Sequence, residues 1–337
     1  MTPYTQIFGT GGIGSGVIYA LEGNHTLGRE ETRLGTKLPN KDFCKLHIIS
    51  HYLTVILGEI EDSVEIYPVG AVGNDREGRE LLELFDTCRI SRKYVKILDG
   101  YPTLFSVCFQ YPDGSGGNIT ESRSASSVLS PGDIDRAADQ LEKKKSIVFA
   151  VPEVPLETRL HLLELKSGNG VFRAASFLSS EIRDVFSRGI FQNIDLCALN
   201  MDEAKTLVES RGKGIQEGRK FADICNSILR GENPDIEVLI TDGKKGSYAF
   251  SKNRSAYLPA FKMKVSNSAG AGDAFFAGLI IGKIMNLPFI SEEAVSCFKT
   301  AHSLASLSVE SRDTIHFNLN SIMLKEFIEK KFGQEFL

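Results

Sequence analysis

The stretch Val265–Gly278, Val-Ser-Asn-Ser-Ala-Gly-Ala-Gly-Asp-Ala-Phe-Phe-Ala-Gly, decides how the rest of the chain is read. The run before it, Tyr257–Val265, predicts a strand. Gly270-Ala271-Gly272 then removes bulky side chains, Asp273 follows at once, and Ala274–Met285 predicts an apolar helix. At such a turn the first N–H groups of the helix lack intrahelical partners, and the helix dipole adds positive character. Gly270, Ala271 and Gly272 are therefore a candidate anion hole, with glycine allowing close approach to the backbone. A carboxylate beside an anion site suits a general base: Asp273 would take a proton from a hydroxyl that attacks a phosphoryl group. The alternative for Asp273 is a cap on a buried helix.

Composition bounds the classes of function. The 337 residues are 42% hydrophobic and 24% charged, with a net charge of −4, which is ordinary for one large α/β domain or two smaller ones. No basic patch stands out, so nucleic acid is not an expected partner. The six cysteines, at 44, 88, 108, 197, 225 and 297, form no C-x-x-C pair, which fits a reducing cytoplasm and no zinc site. The N-terminal Met-Thr-Pro-Tyr-Thr-Gln lacks a basic-then-apolar signal. The longest apolar run, Ala274–Ile284, is too short and glycine-rich to span a bilayer. The expectation is a cytoplasmic protein that does not enter membranes.

Taken in order, the chain begins with a short strand near Gln6 that runs into Gly9-Thr10-Gly11-Gly12-Ile13-Gly14. This is a literal G-x-G-x-x-G, but Gly16, Gly23 and Gly28 interrupt the helix that a dinucleotide site needs. A glycine-rich strand end facing a small ligand is the better reading, with Gly14 and Gly16 as substrate candidates. His47 and His51 lie four apart on a helix predicted over Lys41–Leu57, and no third metal ligand is evident. Glu65–Val72 and Thr103–Tyr111 alternate as strands. From Ile147 onward strands and helices alternate, with strands at Ile147–Val151, Gly170–Ala174, Asp195–Leu199 and Glu237–Thr241, and a helix over Ile215–Leu229 among those between. Repeated βα units imply a mostly parallel sheet covered on both faces, with ligands outside the carboxyl ends of the strands. Three turns are assigned there: Asn200–Glu203, Gly243–Gly246 and Gly270–Asp273.

Four segments then resemble, in register, the ribokinase-like (PfkB-type) carbohydrate kinase family. Val69–Gly78 resembles its early Gly-x-x-Gly-x-Asp-x-x-Gly segment. Asn200-Met201-Asp202-Glu203 resembles its Asn-x-x-Glu motif, Thr241-Asp242-Gly243-Lys244-Lys245-Gly246 its Thr-x-Gly-x-x-Gly strand end, and Asn267–Asp273 its Asp-Thr-x-Gly-Ala-Gly-Asp signature. The resemblance implies a three-layer α/β/α fold with a mostly parallel central sheet and a small β lid. It makes residues 1–337 one kinase domain, with the lid from about 17–38 and 101–121 and a homodimer through that lid as the expected assembly. It implies an ATP-dependent kinase of a sugar, sugar phosphate or nucleoside-like molecule, with Asp273 as base. Thr241, Gly243 and Gly246 would hold the nucleotide, and Asn200 and Glu203 magnesium through water. Lys244 or Lys245 could pair with phosphate or stand solvated.

Departures from the family's pattern fall in the acceptor pocket. Gly16 stands where the family usually carries an Asp, and Leu46–His51 replaces its Gly-Gly-x-x-x-Asn segment. Asn267 replaces the first Asp of the signature, which leaves a monovalent cation open. The alternative function is a non-catalytic ligand-binding or regulatory protein on the same fold. These changes predict poor activity on free ribose and fructose and an acceptor that is larger, less hydroxylated at that end, or anionic; if His47 or His51 contacts it, affinity for an anion is expected to fall from about pH 6 to 8.

Overall fold

β1 (Gln6–Thr10) is buried along its whole length and lies inside the main sheet. The chain continues through β2 (Gly14–Leu21), β3 (Gly35–Lys37), β4 (Asp42–Phe43), α1 (Lys45–Ile60), β5 (Glu65–Gly73), α2 (Arg76–Thr87) and β6 (Tyr94–Leu98). Next come β7 (Leu104–Gln110), β8 (Gly116–Thr120), α3 (Pro131–Leu141), β9 (Ser146–Ala150), α4 (Leu156–Glu164), β10 (Val171–Ala175) and α5 (Ile182–Ser187). The remainder is β11 (Leu196–Asn200), α6 (Met201–Ser210), α7 (Arg219–Glu232), β12 (Glu237–Thr241), β13 (Ser247–Ser251), β14 (Arg254–Leu258), α8 (Ala271–Ile284), α9 (Cys297–Ser308) and α10 (Ser321–Phe332). The computed structural model describes residues 4–60, 63–113, 115–141, 144–165, 170–212 and 218–336. The start of the chain, Met1–Pro3, and the start of the helix expected over Ile215–Leu229 lie outside them.

The main sheet has nine strands among the described residues, in the order β14-β13-β12-β11-β10-β9-β1-β5-β6. Strands β12 to β6 of that order run parallel, and β13 and β14 return antiparallel at one edge. Side chains alternate between two cores, as the period-2 pleat requires. Ile7, Ile147, Phe149 and Leu239 pack with α1, α2, α8, α9 and α10 on one face. Phe8, Val148, Ala150, Val238 and Ile240 pack with α3 to α7 on the other. The chain is thus α/β, with a large, mostly parallel sheet between two helical layers. A second sheet of five strands pairs β3-β2-β7-β8, with β4 beside β2.

Several boundaries differ from the sequence expectation, each for a local reason. The helix expected from Lys41 starts at Lys45, because Asp42 and Phe43 are drawn into β4 by pairing with Gly16 and Ser15. Gly9–Gly14 leads from one strand straight into another, so no helix follows it to hold a pyrophosphate. The α2 helix starts early because Asp75 caps it, accepting from the Gly78 N–H at 2.7 Å. Asp75 also accepts from the Thr103 N–H at 2.6 Å, which ties α2 to the entry of β7. The strand expected over Tyr257–Val265 is β14, ending at Leu258, and the residues from Pro259 to the α8 turn are irregular. The Gly270–Asp273 turn therefore does not follow a parallel strand directly, although it reaches the same end of the sheet.

Candidate active site

The start of α8 is fixed by Gly270, whose backbone sits at φ 80°. A Cβ there would fall 2.5 Å from the Thr314 carbonyl oxygen, so conformation and space both require glycine. Asn267 shapes the approach: its Oδ1 accepts from the Ala269 N–H at 3.0 Å and its Nδ2 donates to the Arg312 carbonyl at 3.0 Å. The helix begins at Ala271, which places Asp273 in its first turn. The Ala271 N–H makes one long bond, 3.4 Å, to the Ser268 carbonyl.

Gly270 and Asp273 line a cavity of about 500 Å³ together with Asn200, Lys45, Glu153 and Asp42. The second sheet supplies another wall through Ile18, Ser106, Cys108, Phe109 and Asn118. The Lys45 ammonium lies 3.5 Å from Asp273 Oδ1, and Asp273 outweighs burial to hold the Lys45 pKa above its ordinary value. The Lys45 N–H donates to Glu153 Oε2 at 2.9 Å. The first turn of α1 has no acidic residue of its own, so Glu153 serves as its cap from another segment. Burial pushes the Glu153 carboxyl up to about 7 despite the nearby lysine. Glu153 also holds a left-handed backbone, φ 81°, rare for a residue with a side chain. Strain of this kind costs about 1–3 kcal/mol and clusters at functional sites.

Asn200 and Glu203 form a capping box at the start of α6. Asn200 Oδ1 accepts from the Asp202 and Glu203 N–H groups, both at 2.9 Å, and Glu203 Oε2 accepts from the Asn200 N–H at 2.8 Å. Burial raises the Glu203 carboxyl to about 7. Asn200 is also the register partner of Thr241, so the ends of β11 and β12 lie side by side. Beyond Thr241 the chain turns through Gly243 (φ 49°) and Gly246 (φ 120°). Lys244 is exposed, and its Nζ donates to the Asp113 carbonyl at 2.8 Å, linking this turn to the β7–β8 connection. Lys245 is exposed, 3.8 Å from Asp242. Among the described residues no group of three or more His, Cys, Asp or Glu side chains is placed to hold a metal ion. No helix among them is long and apolar enough to cross a membrane.

His47 and His51 are not in the cavity, which corrects the expectation that they touch the acceptor. They are 0% and 1% exposed and face the core. The His47 ring meets Phe43 and Phe85, and the His51 ring meets Phe317 and Tyr52. None of their ring nitrogens has a hydrogen-bonding partner among the described residues. Burial lowers their pKa values to about 3 and about 4, so neither changes charge between pH 6 and 8. Gly14 and Gly16 lie in β2 beneath the cavity wall rather than on it. Sequence reasoning missed Lys45, Glu153 and Asp42. Only Glu153 carried a signal: it follows the carboxyl end of β9, where ligands of such sheets bind.

Comparisons with known proteins give the family and the fold. Residues 58–321, well over half of the chain, match the family described as pfkB family carbohydrate kinase. The chain is 27% identical over 201 residues to a deoxyribokinase of Salmonella typhi, covering 59% of this chain and 61% of that relative's length. Its fold is similar to that of a nucleoside kinase of Burkholderia thailandensis in complex with inosine (TM-score 0.75, 16% identity, 98% of this chain and 99% of that one). It is also similar to a ribokinase of Cryptococcus neoformans in complex with ADP (TM-score 0.71, 18% identity, 96% and 99%).

The buried histidines make a stability prediction. Their folded pKa values lie below the unfolded value near 6.5, so their contribution is present above pH 6.5 and lost as pH falls toward 4. Replacing both (His47→Leu with His51→Leu) should reduce the stability lost between pH 7 and pH 5 by about 2 kcal/mol per histidine. Urea melts at the two pH values measure it, and an equal loss in variant and wild type would overturn the assignment.

Proposed function

Because the chain belongs to the pfkB family of carbohydrate kinases, we propose that it transfers the γ-phosphoryl group of ATP to a hydroxyl of a sugar, sugar phosphate or nucleoside-like acceptor. The observation that carries this reading is Asp273 in the first turn of α8, lining the cavity beside Gly270. Asp273 takes the proton of the acceptor hydroxyl as it attacks. Lys45, 3.5 Å away, orients that carboxylate. The first-turn N–H groups of Gly270, Ala271 and Gly272 offset charge on the transferring phosphoryl group, an effect worth about 10²–10³ in rate per donor.

Thr241, Gly243 and Gly246 lie along the nucleotide, next to Asn200. The ADP held by the Cryptococcus neoformans ribokinase supports an adenine nucleotide as donor. The names deoxyribokinase and nucleoside kinase support an acceptor of sugar or nucleoside size. Magnesium suits this site through water. It commonly takes one or two carboxylates, substrate phosphates and several waters. Glu203, a carboxylate destabilised by burial with Asn200 bonded to it, would hold those waters. The ion, when bound, neutralises charge on the phosphates.

The second sheet acts as a lid within a single domain spanning 1–337, excluding water from the cavity and limiting ATP hydrolysis. Its strands β2, β7 and β8 set Val17, Val107 and Ile119 side by side in register, with Ile119 68% exposed. A second copy of the chain covers this row, because a two-fold contact needs only a self-complementary patch. A non-catalytic protein on this fold was argued from the altered segment at Gly16 and His47–His51. With the histidines in the core, that segment no longer argues for it.

Three outcomes test these roles. Asp273→Asn should keep nucleotide binding and lose roughly 10²–10⁴ in transfer rate; a variant within a few-fold of wild type would remove the base. Glu203→Gln should raise the magnesium concentration needed for half-maximal rate, and an unchanged magnesium titration counts against it. Ile119→Lys should shift sedimentation from dimer to monomer, whereas a monomeric wild type refutes the lid contact.

A further inference from the structure

Two residues of β4 put a carboxylate into the cavity that no sequence motif marks. Asp42 pairs across an antiparallel ladder with Gly16 of β2 and lines the cavity wall, 7% exposed. A Cβ on Gly16 would fall 2.6 Å from Asp42 Oδ2 and 2.6 Å from the Ser106 carbonyl. The carboxylate thus fills the space that a side chain at position 16 would take. Its partners are the Cys108 thiol at 3.1 Å, the Phe43 N–H and the Thr314 hydroxyl, and none of them carries a charge. The Thr314 hydroxyl also accepts from the Phe43 N–H at 2.9 Å, which fixes where β4 lies. Asp42 has no ion-pair partner among the described residues, so it keeps acceptor capacity that burial makes costly to leave unused.

The charge around it is lopsided. The ionisable acids and bases lining the cavity are Asp42, Glu153 and Asp273 against Lys45 alone, with the thiols of Cys44, which is buried, and Cys108, which is half-buried, both pushed up and protonated. The Lys45 ammonium is already committed to Asp273. Ile18, Phe43, Ile48 and Phe109 add apolar surface to the cavity wall, and a hydrogen bond is stronger in such surroundings than in water. Burial already raises the Asp42 carboxyl above its ordinary range, so a phosphorylated acceptor would bring a dianion toward a carboxylate that no cation pairs, while hydroxyl or amine donors would satisfy it.

We propose that Asp42 is the specificity-determining residue for the acceptor. It binds a hydroxyl or amine other than the one that reacts, and so selects neutral or amine-bearing polyols and nucleosides over phosphorylated ones. This rests on the kinase reading above and narrows its acceptor.

The test is ADP formation with pentoses, hexoses, nucleosides, amino sugars and sugar monophosphates. Wild type should turn over a neutral or amino acceptor best. Asp42→Asn should raise KM for that acceptor about 10–100-fold with kcat within a few-fold, the loss expected for a charged hydrogen bond. Gly16→Ala, which crowds the same carboxylate without changing charge, should raise KM in the same way, and it carries the test if Asp42→Asn does not fold. An unchanged KM in a folded Asp42→Asn or Gly16→Ala enzyme overturns the proposal, as does a sugar monophosphate as best substrate. If nothing is turned over, the kinase reading fails, and thermal stabilisation by the same compounds reads Asp42 directly. Stabilisation by a neutral compound that Asp42→Asn loses supports the role; stabilisation that it keeps, or none by any compound, overturns it.

Discussion

The half-buried ammonium of Lys45 draws three segments together at once. Its Nζ reaches Asp273, 228 positions away, and its own N–H is capped by Glu153, 108 positions away. The starts of α1 and α8 are thereby brought to one cavity, and each adds the positive end of a helix dipole to the lysine. Carboxylates are needed there for electrostatic reasons before any chemistry is considered. The left-handed backbone at Glu153 is the conformational cost of putting a cap where α1 lacks one.

Much of the fold was legible because parallel strands buried on both faces leave dense apolar runs between turns. The strands at Ile147–Val151 and Glu237–Thr241 and the turns after Leu199 and Thr241 are of this kind. What failed was the edge and the short pieces. Tyr94–Leu98 is a half-exposed edge strand with little pattern, and Arg254–Leu258 pairs antiparallel at the other edge, so its run was extended into the irregular segment before α8. The segment at His47–His51 misled for a different reason. A histidine pair at helical spacing looks the same in a sequence whether it faces ligand or core, and here Phe43, Phe85 and Phe317 decide it. Asp42 was invisible because a two-residue strand carries no periodicity.

The acidic motif at Asn200–Glu203 shows how far a site and its scaffold share residues. Both oxygens of Glu203 are bonded to Asn200, which is what the start of α6 needs with no ligand present. The same bonds hold the pair at the end of β11, level with Thr241 on β12. The Val69–Gly78 segment is similar: Asp75 joins α2 to the entry of β7, so a family motif can be recognisable for what it holds together.

The pairing of Gly16 with Asp42 also constrains how such a chain can change. Two positions 26 residues apart in sequence contend for one volume, and only one of them can carry a side chain. A side chain at 16 needs two things to give way, the Asp42 carboxylate and the Ser106 carbonyl, and only the first is relieved by a substitution at 42. The effect of a change at 16 therefore depends on what stands at 42. Position 16 and position 42, each taken alone, hide this dependence, although the space between their strands holds a single carboxylate.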